Sequence, residues 1–111
     1  MTLIKAAVCN ESRTDLTIEE IKLLSPEQDE IRVTVEACAI CHSDITYIDG
    51  GWSIGYPVVL GHEVSGKVTE VGPGTKTKLD IGDQVVVSLI RTCGKCLACK
   101  RGHDVACTGK F

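Results

Sequence analysis

Aromatic residues are almost missing from this 111-residue chain, which has one Phe, one Trp and two Tyr, 4% in all. So few rings leave no platform on which nucleic-acid bases would stack. Charge of one sign is not in excess either, since 15 acidic and 12 basic side chains give a formal net charge of −3. No apolar run approaches the ~18 residues that a membrane span needs, so no membrane partner is expected. The opening Met1-Thr2-Leu3-Ile4-Lys5 holds one Lys and no long apolar stretch. It is not a secretory signal, and a cytoplasmic location is the expectation. Internal repeats and low-complexity tracts are absent.

What remains is ordinary globular usage, with 43% hydrophobic and 24% charged residues, which excludes a disordered chain. The length fits one domain that can bury a core. The over-used residue is cysteine, at seven copies. In a reducing compartment clustered cysteine points first to metal, and an odd count prevents full pairing within one chain.

Charge is distributed unevenly. Residues 1–90 carry a net charge of −7, whereas residues 91–111 hold Arg91, Lys95, Lys100, Arg101 and Lys110 against Asp104 alone, a net of +4. A basic, cysteine-rich tail suits a nucleic-acid contact or local compensation for thiolates. The overall acidity and the missing aromatics favour the second reading.

Most of the chain reads as short strands and turns. Residues 2–8 form an apolar run around Lys5. Residues 30–38 alternate, with Ile31, Val33, Val35 and Ala37 on one face and Arg32, Thr34, Glu36 and Cys38 on the other. Residues 62–71 place Val64 and Val68 opposite Glu63, Lys67 and Thr69. Residues 84–89 are Val-rich and follow a Gly82-Asp83 turn. Residues 17–24 have Thr17 and Glu20 at capping-box spacing, but Pro26 follows closely and a strand is expected. Between residues 39 and 61 the strand pattern fails, and Ser43-Asp44 fits the start of a short helical turn. Cys9 and Cys38 sit in apolar segments and read as buried, inert thiols.

Cys93, Cys96, Cys99 and Cys107 match the needs of tetrahedral zinc in a closed structural site. Gly94 eases the tight turn that presents Cys93 and Cys96 together, and Lys95, Lys100 and Arg101 offset thiolate charge. An iron–sulfur cluster is a competitor, although Thr108 stands where bacterial ferredoxins carry Pro. Another competitor is zinc with His103 replacing one cysteine.

A second set is weaker. Cys41-His42-Ser43-Asp44 and Gly61-His62-Glu63 offer one sulfur, one imidazole and nearby carboxylates. Such groups suit an open zinc site that leaves one position for substrate. Asp44 is placed to fix the tautomer of His62, and the Ser43 hydroxyl to meet a reacting oxygen. Cys and His each occur more often as structural residues than as ligands.

Taken in order, Cys41-His42-Ser43-Asp44, Gly61-His62-Glu63, Gly82-Asp83-Gln84-Val85-Val86 and the four-cysteine loop resemble the zinc-dependent medium-chain alcohol dehydrogenases along residues 1–111. The resemblance implies a mainly β, GroES-like, partly open barrel with short helical turns. A four-cysteine zinc lobe is appended at 91–111. It implies catalytic zinc on Cys41, His62 and Glu63, with Asp44 behind His62, and structural zinc on Cys93, Cys96, Cys99 and Cys107. Ser43 matches the hydroxyl that takes the alcohol proton, His42 a contact to the pyrophosphate of NAD or NADP, and Trp52 and Leu89 the substrate pocket. The implied reaction is hydride transfer from an alcohol to NAD or NADP, giving an aldehyde or ketone, with homo-oligomers compatible.

This sequence departs from the family in three ways. The third principal zinc ligand of the family falls beyond residue 111, as does its Rossmann domain. Gly72-Pro73-Gly74 is no substitute, because it lacks the third glycine and a following helix. Thr46 stands where many relatives have a relay His. The expectation is therefore a catalytic-domain fragment that is inactive alone. An inactive structural zinc module is the alternative, and a nucleic-acid-binding zinc module a more distant one.

Overall fold

The computed structural model describes residues 1–109. Two positions of the expected 1–111 domain and 91–111 lobe, Lys110 and Phe111, lie outside the described residues. In order, the elements are β1 (Thr2–Cys9), β2 (Thr17–Leu23), β3 (Ile31–Ala39), α1 (His42–Ile48), β4 (Val58–Val59), β5 (Glu63–Val71), β6 (Gln84–Val87), α2 (Leu97–Lys100) and a 3-10 turn at Asp104–Ala106. The strands form two three-stranded sheets, β2-β1-β4 and β3-β5-β6. The sheets do not close into a barrel, as a partly open architecture requires.

β1 pairs antiparallel with β2 from Thr2 opposite Leu23 to Val8 opposite Thr17. The β-branched Thr17, Ile18 and Ile21 thus follow strand preference, and the capping-box spacing has no helix behind it. β4 joins the other edge of β1 through Val8 and Cys9.

β5 is the central strand of the second sheet. Its alternation is the one the sequence shows, with Gly66 and Val68 buried and Glu63, Lys67 and Thr69 exposed. Val68 is 1% exposed. Its amide donates to the Asp83 carbonyl (3.0 Å) and its carbonyl accepts from Gly82 (2.8 Å), which carries the pairing back beyond β6. β6 ends at Val87, short of the expected residue 89, where the Ser88 hydroxyl accepts the Ile90 amide at 3.1 Å and turns the chain.

β3 departs from strict alternation. Its register against β5 shifts at Arg32/Val33 and again at Val35/Ala37. Each bulge moves the following side chains relative to the sheet. Val35 is 56% exposed as a result. Cys38, expected to be buried, is exposed, because the C-terminal half of this edge strand is uncovered. Cys9 is buried as expected.

The core is thin. Val8, Cys9 and Val68 are its buried hydrophobic side chains among the described residues. The radius of gyration is 15.8 Å, against ~13 Å for a compact chain of about 100 residues. No helix among the described residues is long and apolar enough to cross a membrane.

Gly72-Pro73-Gly74 is a turn, closed by the Thr75 amide on the Gly72 carbonyl at 3.2 Å, and no helix follows it. A Cβ on Gly72 would overlap the Glu27 carbonyl oxygen. Gly72→Ala is therefore expected to destabilise the chain by about 1–3 kcal/mol, as overpacking does. Gly55→Ala, where a Cβ meets nothing within 4 Å, should change stability by less than ~0.5 kcal/mol. Urea midpoints of the two variants test the contrast.

Candidate metal centres

The four sulfurs of Cys93, Cys96, Cys99 and Cys107 lie within 4.8 Å of one another. Backbone geometry makes this possible. Gly94 takes φ +66°, so the chain turns back sharply between the first two cysteines. Cys96 caps α2, its sulfur accepting the Cys99 amide at 3.5 Å. Cys93 Sγ accepts from the Cys96 amide at 3.4 Å. Cys107 Sγ accepts from both Cys93 and Gly109, each at 3.3 Å. Gly109 also lies so close that a Cβ there would sit 2.8 Å from Cys93 Sγ. Amides aimed at sulfur favour thiolate over thiol.

The thiols respond unequally. Backbone hydrogen bonds from Lys95 and then Cys96 hold Cys93 below its ordinary value. Cys96 is lowered to about 6, chiefly by the Cys99 amide and then that of Thr108. Removal from water, followed by the neighbouring Cys96, raises Cys99 to about 12. Four sulfurs in tetrahedral reach, with amides already supporting charge, fit a zinc ion. His103 is exposed and is not one of the four converging residues.

The second cluster joins a helix start to a strand start. Cys41 is the N-cap of α1, extended at φ −96° and ψ 153°. Asp44, three residues on, reaches back so that its Oδ2 accepts the Cys41 amide at 2.9 Å. The cap is thus Cys41 with Asp44 behind it, two residues earlier than the Ser43-Asp44 start expected from sequence. Asp44 is a buried charged residue, 7% exposed. Its other oxygen, Oδ1, lies 3.4 Å from His62 Nδ1. His62 Nε2 then faces Glu63, 4.0 Å from Oε1. One ligand atom each from Cys41, His62 and Glu63 falls within 4.8 Å of the others. The Ser43 hydroxyl is buried with no hydrogen-bond partner. A sulfur, an imidazole and a carboxylate suit zinc, and a buried orphan hydroxyl suits an additional polar group beside it.

Other expected residues lie farther out. His42 is exposed on the first turn of α1, and its carbonyl accepts the Thr46 hydroxyl at 3.1 Å. Trp52 is 52% exposed and stands edge-on to Tyr47, with ring centroids 5.3 Å apart. Leu89 is 68% exposed. An open depression of about 450 Å³ beside His62 and Glu63 is walled by Ala37, Ala39, Val86 and Val87 among others. Neither Trp52 nor Leu89 lines it. Sequence reasoning missed the roles of Gly109 and of the Cys41 amide. The three-residue step from Cys41 to Asp44 was the available signal for the second.

The alcohol dehydrogenase GroES-like domain family matches residues 27–111. An NDMA-dependent alcohol dehydrogenase of Amycolatopsis methanolica is 40% identical over 103 residues, covering 93% of this chain and 28% of that protein. The solved benzyl alcohol dehydrogenase of Acinetobacter calcoaceticus superposes with a TM-score of 0.90 at 37% identity, over 97% of this chain and 29% of the other. A dehydrogenase of Sinorhizobium meliloti, solved with NADP bound, gives a TM-score of 0.80 at 28% identity, over 98% and 31%. The chain thus spans under a third of the length of the relatives it matches.

The unequal thiols set a pH dependence for the chelator-stripped chain. Cys96, lowered to about 6 from 9.0, stabilises the folded lobe fully above pH 9, and that contribution fades as pH falls through 6. Cys99, raised to about 12, stabilises it below pH 9, and that contribution is lost as pH rises through 12. The stripped lobe should therefore be most stable near pH 9, which circular dichroism melts in chelator would show. Adding zinc at pH 7 should release protons, Cys99 among their sources, measurable with an indicator in weak buffer.

Proposed function

The chain belongs to the alcohol dehydrogenase GroES-like domain family, and on that premise we propose that it is the zinc-holding, substrate-side part of an NAD- or NADP-dependent alcohol dehydrogenase. The observation that carries this reading is the convergence of Cys41, His62 and Glu63 beside a buried, unpartnered Ser43 hydroxyl. Cys41, His62 and Glu63 would hold a catalytic zinc ion, and Cys93, Cys96, Cys99 and Cys107 a structural one.

Zinc bound at the first set supplies a Lewis acid that draws electron density from an alcohol oxygen and eases loss of its proton. The chain's own residues do the rest. Asp44 holds the Nδ1 side of His62 and leaves Nε2 free to face the cluster. The Ser43 hydroxyl is placed to take the alcohol proton, with a water molecule as the acceptor of its own. Thr46 does not continue a relay in this geometry, since its hydroxyl is committed to the His42 carbonyl. His42, exposed at the start of α1, is proposed to meet the diphosphate of the nicotinamide cofactor. Trp52 and Leu89, both exposed here, are proposed to face substrate from outside the depression at His62. The substrate is a small alcohol and its product an aldehyde or ketone. A reducing cytoplasm is the setting in which seven unpaired thiols persist.

A purely structural role is the second reading, favoured by the presence of one set of four sulfurs and one set with a single sulfur. Native mass spectrometry separates the two. Two zinc ions per chain, with Cys41→Ala leaving one, support the enzyme reading; a single zinc, unchanged by Cys41→Ala, means that the Cys41 set holds no metal without the ligand expected beyond residue 111 and that this chain by itself has only the structural role. Where NAD- or NADP-coupled alcohol oxidation is measurable, Ser43→Ala should lower kcat by about 100-fold or more.

A further inference from the structure

α1 is seven residues long, too short to hold its own shape in water. Its place is therefore set by what grips its two ends. The N-terminal end is tied to β5 by Asp44, which meets the Cys41 amide with one oxygen and His62 with the other. The C-terminal end gets no such help from its own sequence. No basic side chain stands in the last turn, and the C-cap is Asp49, an acid at the negative end of a helix.

The last carbonyls are nonetheless met one by one. Those of Ile45 and Thr46 accept the Asp49 and Gly51 amides at 2.8 and 2.9 Å. That of Tyr47 accepts the Gly50 amide at 3.0 Å and the Tyr56 hydroxyl at 2.7 Å. The next two are met from the loop between β1 and β2, by a single residue. The Arg13 amide donates to the Ile48 carbonyl at 2.6 Å, and Arg13 Nε to the Asp49 carbonyl at 3.2 Å. The cation that the helix lacks at its end is thus supplied from a distant part of the chain.

That loop is braced to deliver it. Arg13 sits at φ +60°, a left-handed conformation that a residue with a side chain keeps only where its surroundings hold it. The Thr14 hydroxyl donates to the Glu11 carbonyl at 2.9 Å. Across the base of the loop, the Asn10 side-chain amide donates to the Thr17 hydroxyl at 2.9 Å and to Glu19 Oε1 at 2.6 Å. Ser12 lies against the helix end, since a Cβ on Gly50 would come within 3.0 Å of Ser12 Cβ. α1 therefore spans the two sheets, resting on β5 at one end and on an arm of β1 and β2 at the other.

We propose that Arg13 is a positioning residue for Cys41. Its guanidinium, seated on the carbonyl end of α1, holds the helix against the first sheet and so keeps Cys41, at the opposite end, where Asp44 joins it to His62. The role rests on the reading of Cys41 as a zinc ligand. Arg13 acts through the helix, whose seven residues span roughly 10 Å at 1.5 Å each. A cation at the end of a helix changes its opening equilibrium by a factor of about 2–5.

Amide hydrogen exchange of the zinc-supplied chain, followed residue by residue by NMR, tests this. Arg13→Asn removes the cation and keeps a residue that tolerates the left-handed backbone. The Cys41 amide should then exchange about 2–5-fold faster. The Val68 amide, bonded to the Asp83 carbonyl in the central strand of the second sheet, reports opening of the whole chain and should be unchanged. Arg13→Lys retains the cation and should recover most of the loss. A merely local role for Arg13 would speed exchange at residues 13 and 50 and leave Cys41 as it was, which overturns the proposal. So does an acceleration shared equally by Val68, or an Arg13→Lys chain no slower than Arg13→Asn. Exchange at Cys41 is read in the same way whether zinc fills the Cys41 set or the lobe alone, so the result stands apart from the zinc count that tests Cys41 as a ligand.

Discussion

One carboxylate joins the two halves of the candidate site. Asp44 spends Oδ2 on the Cys41 amide at 2.9 Å and points Oδ1 at His62 Nδ1, 3.4 Å away. The first contact fixes where α1 begins. The second ties that beginning to the start of β5. Cys41 and His62 are distant in sequence and belong to different elements, and this bridge helps to keep their sulfur and imidazole close together. Burial strengthens the constraint, because a carboxylate 7% exposed cannot give up its partners to water without cost.

The lobe solves a related problem by other means. Its four sulfurs are gathered by chain reversals at Gly94 and behind Cys107. They are supported by amides from Cys93, Cys96, Cys99 and Gly109. Basic side chains at 95, 100 and 101 are exposed and act through space, while the amides act through direct contact. The compensation for thiolate charge expected from sequence is therefore shared between side chains and backbone. Both clusters matter more than usual here, because the hydrophobic core among the described residues is limited to Val8, Cys9 and Val68. Metal held at either cluster would therefore couple to folding.

Period-two patterning made much of the fold legible. β1, β2 and β5 lie where alternation and β-branching placed them. β3 was found, but its bulges were not, since a register shift depends on what lies opposite the strand. Cys38 shows the cost of that gap: an apolar neighbourhood in sequence says nothing about whether a neighbour covers it. The four-cysteine set was readable because its ligands are close in the chain. The Cys41, His62 and Glu63 set was weak locally and gained force only from the order of several motifs. Hydrogen bonds from backbone amides left no trace in residue type, apart from the glycine at 109.

The seven thiols fall into three environments, and this gives the protein a built-in record of its own state. With the proposed ions in place, Cys38 alone stands open to a thiol reagent. Cys41 and the four lobe cysteines become reactive when metal leaves. Cys9, 1% exposed at the meeting of β1 and β4, reacts only when the sheets themselves come apart. A time course of alkylation would thus divide into surface, metal-release and unfolding phases, each assigned to named residues without any added label.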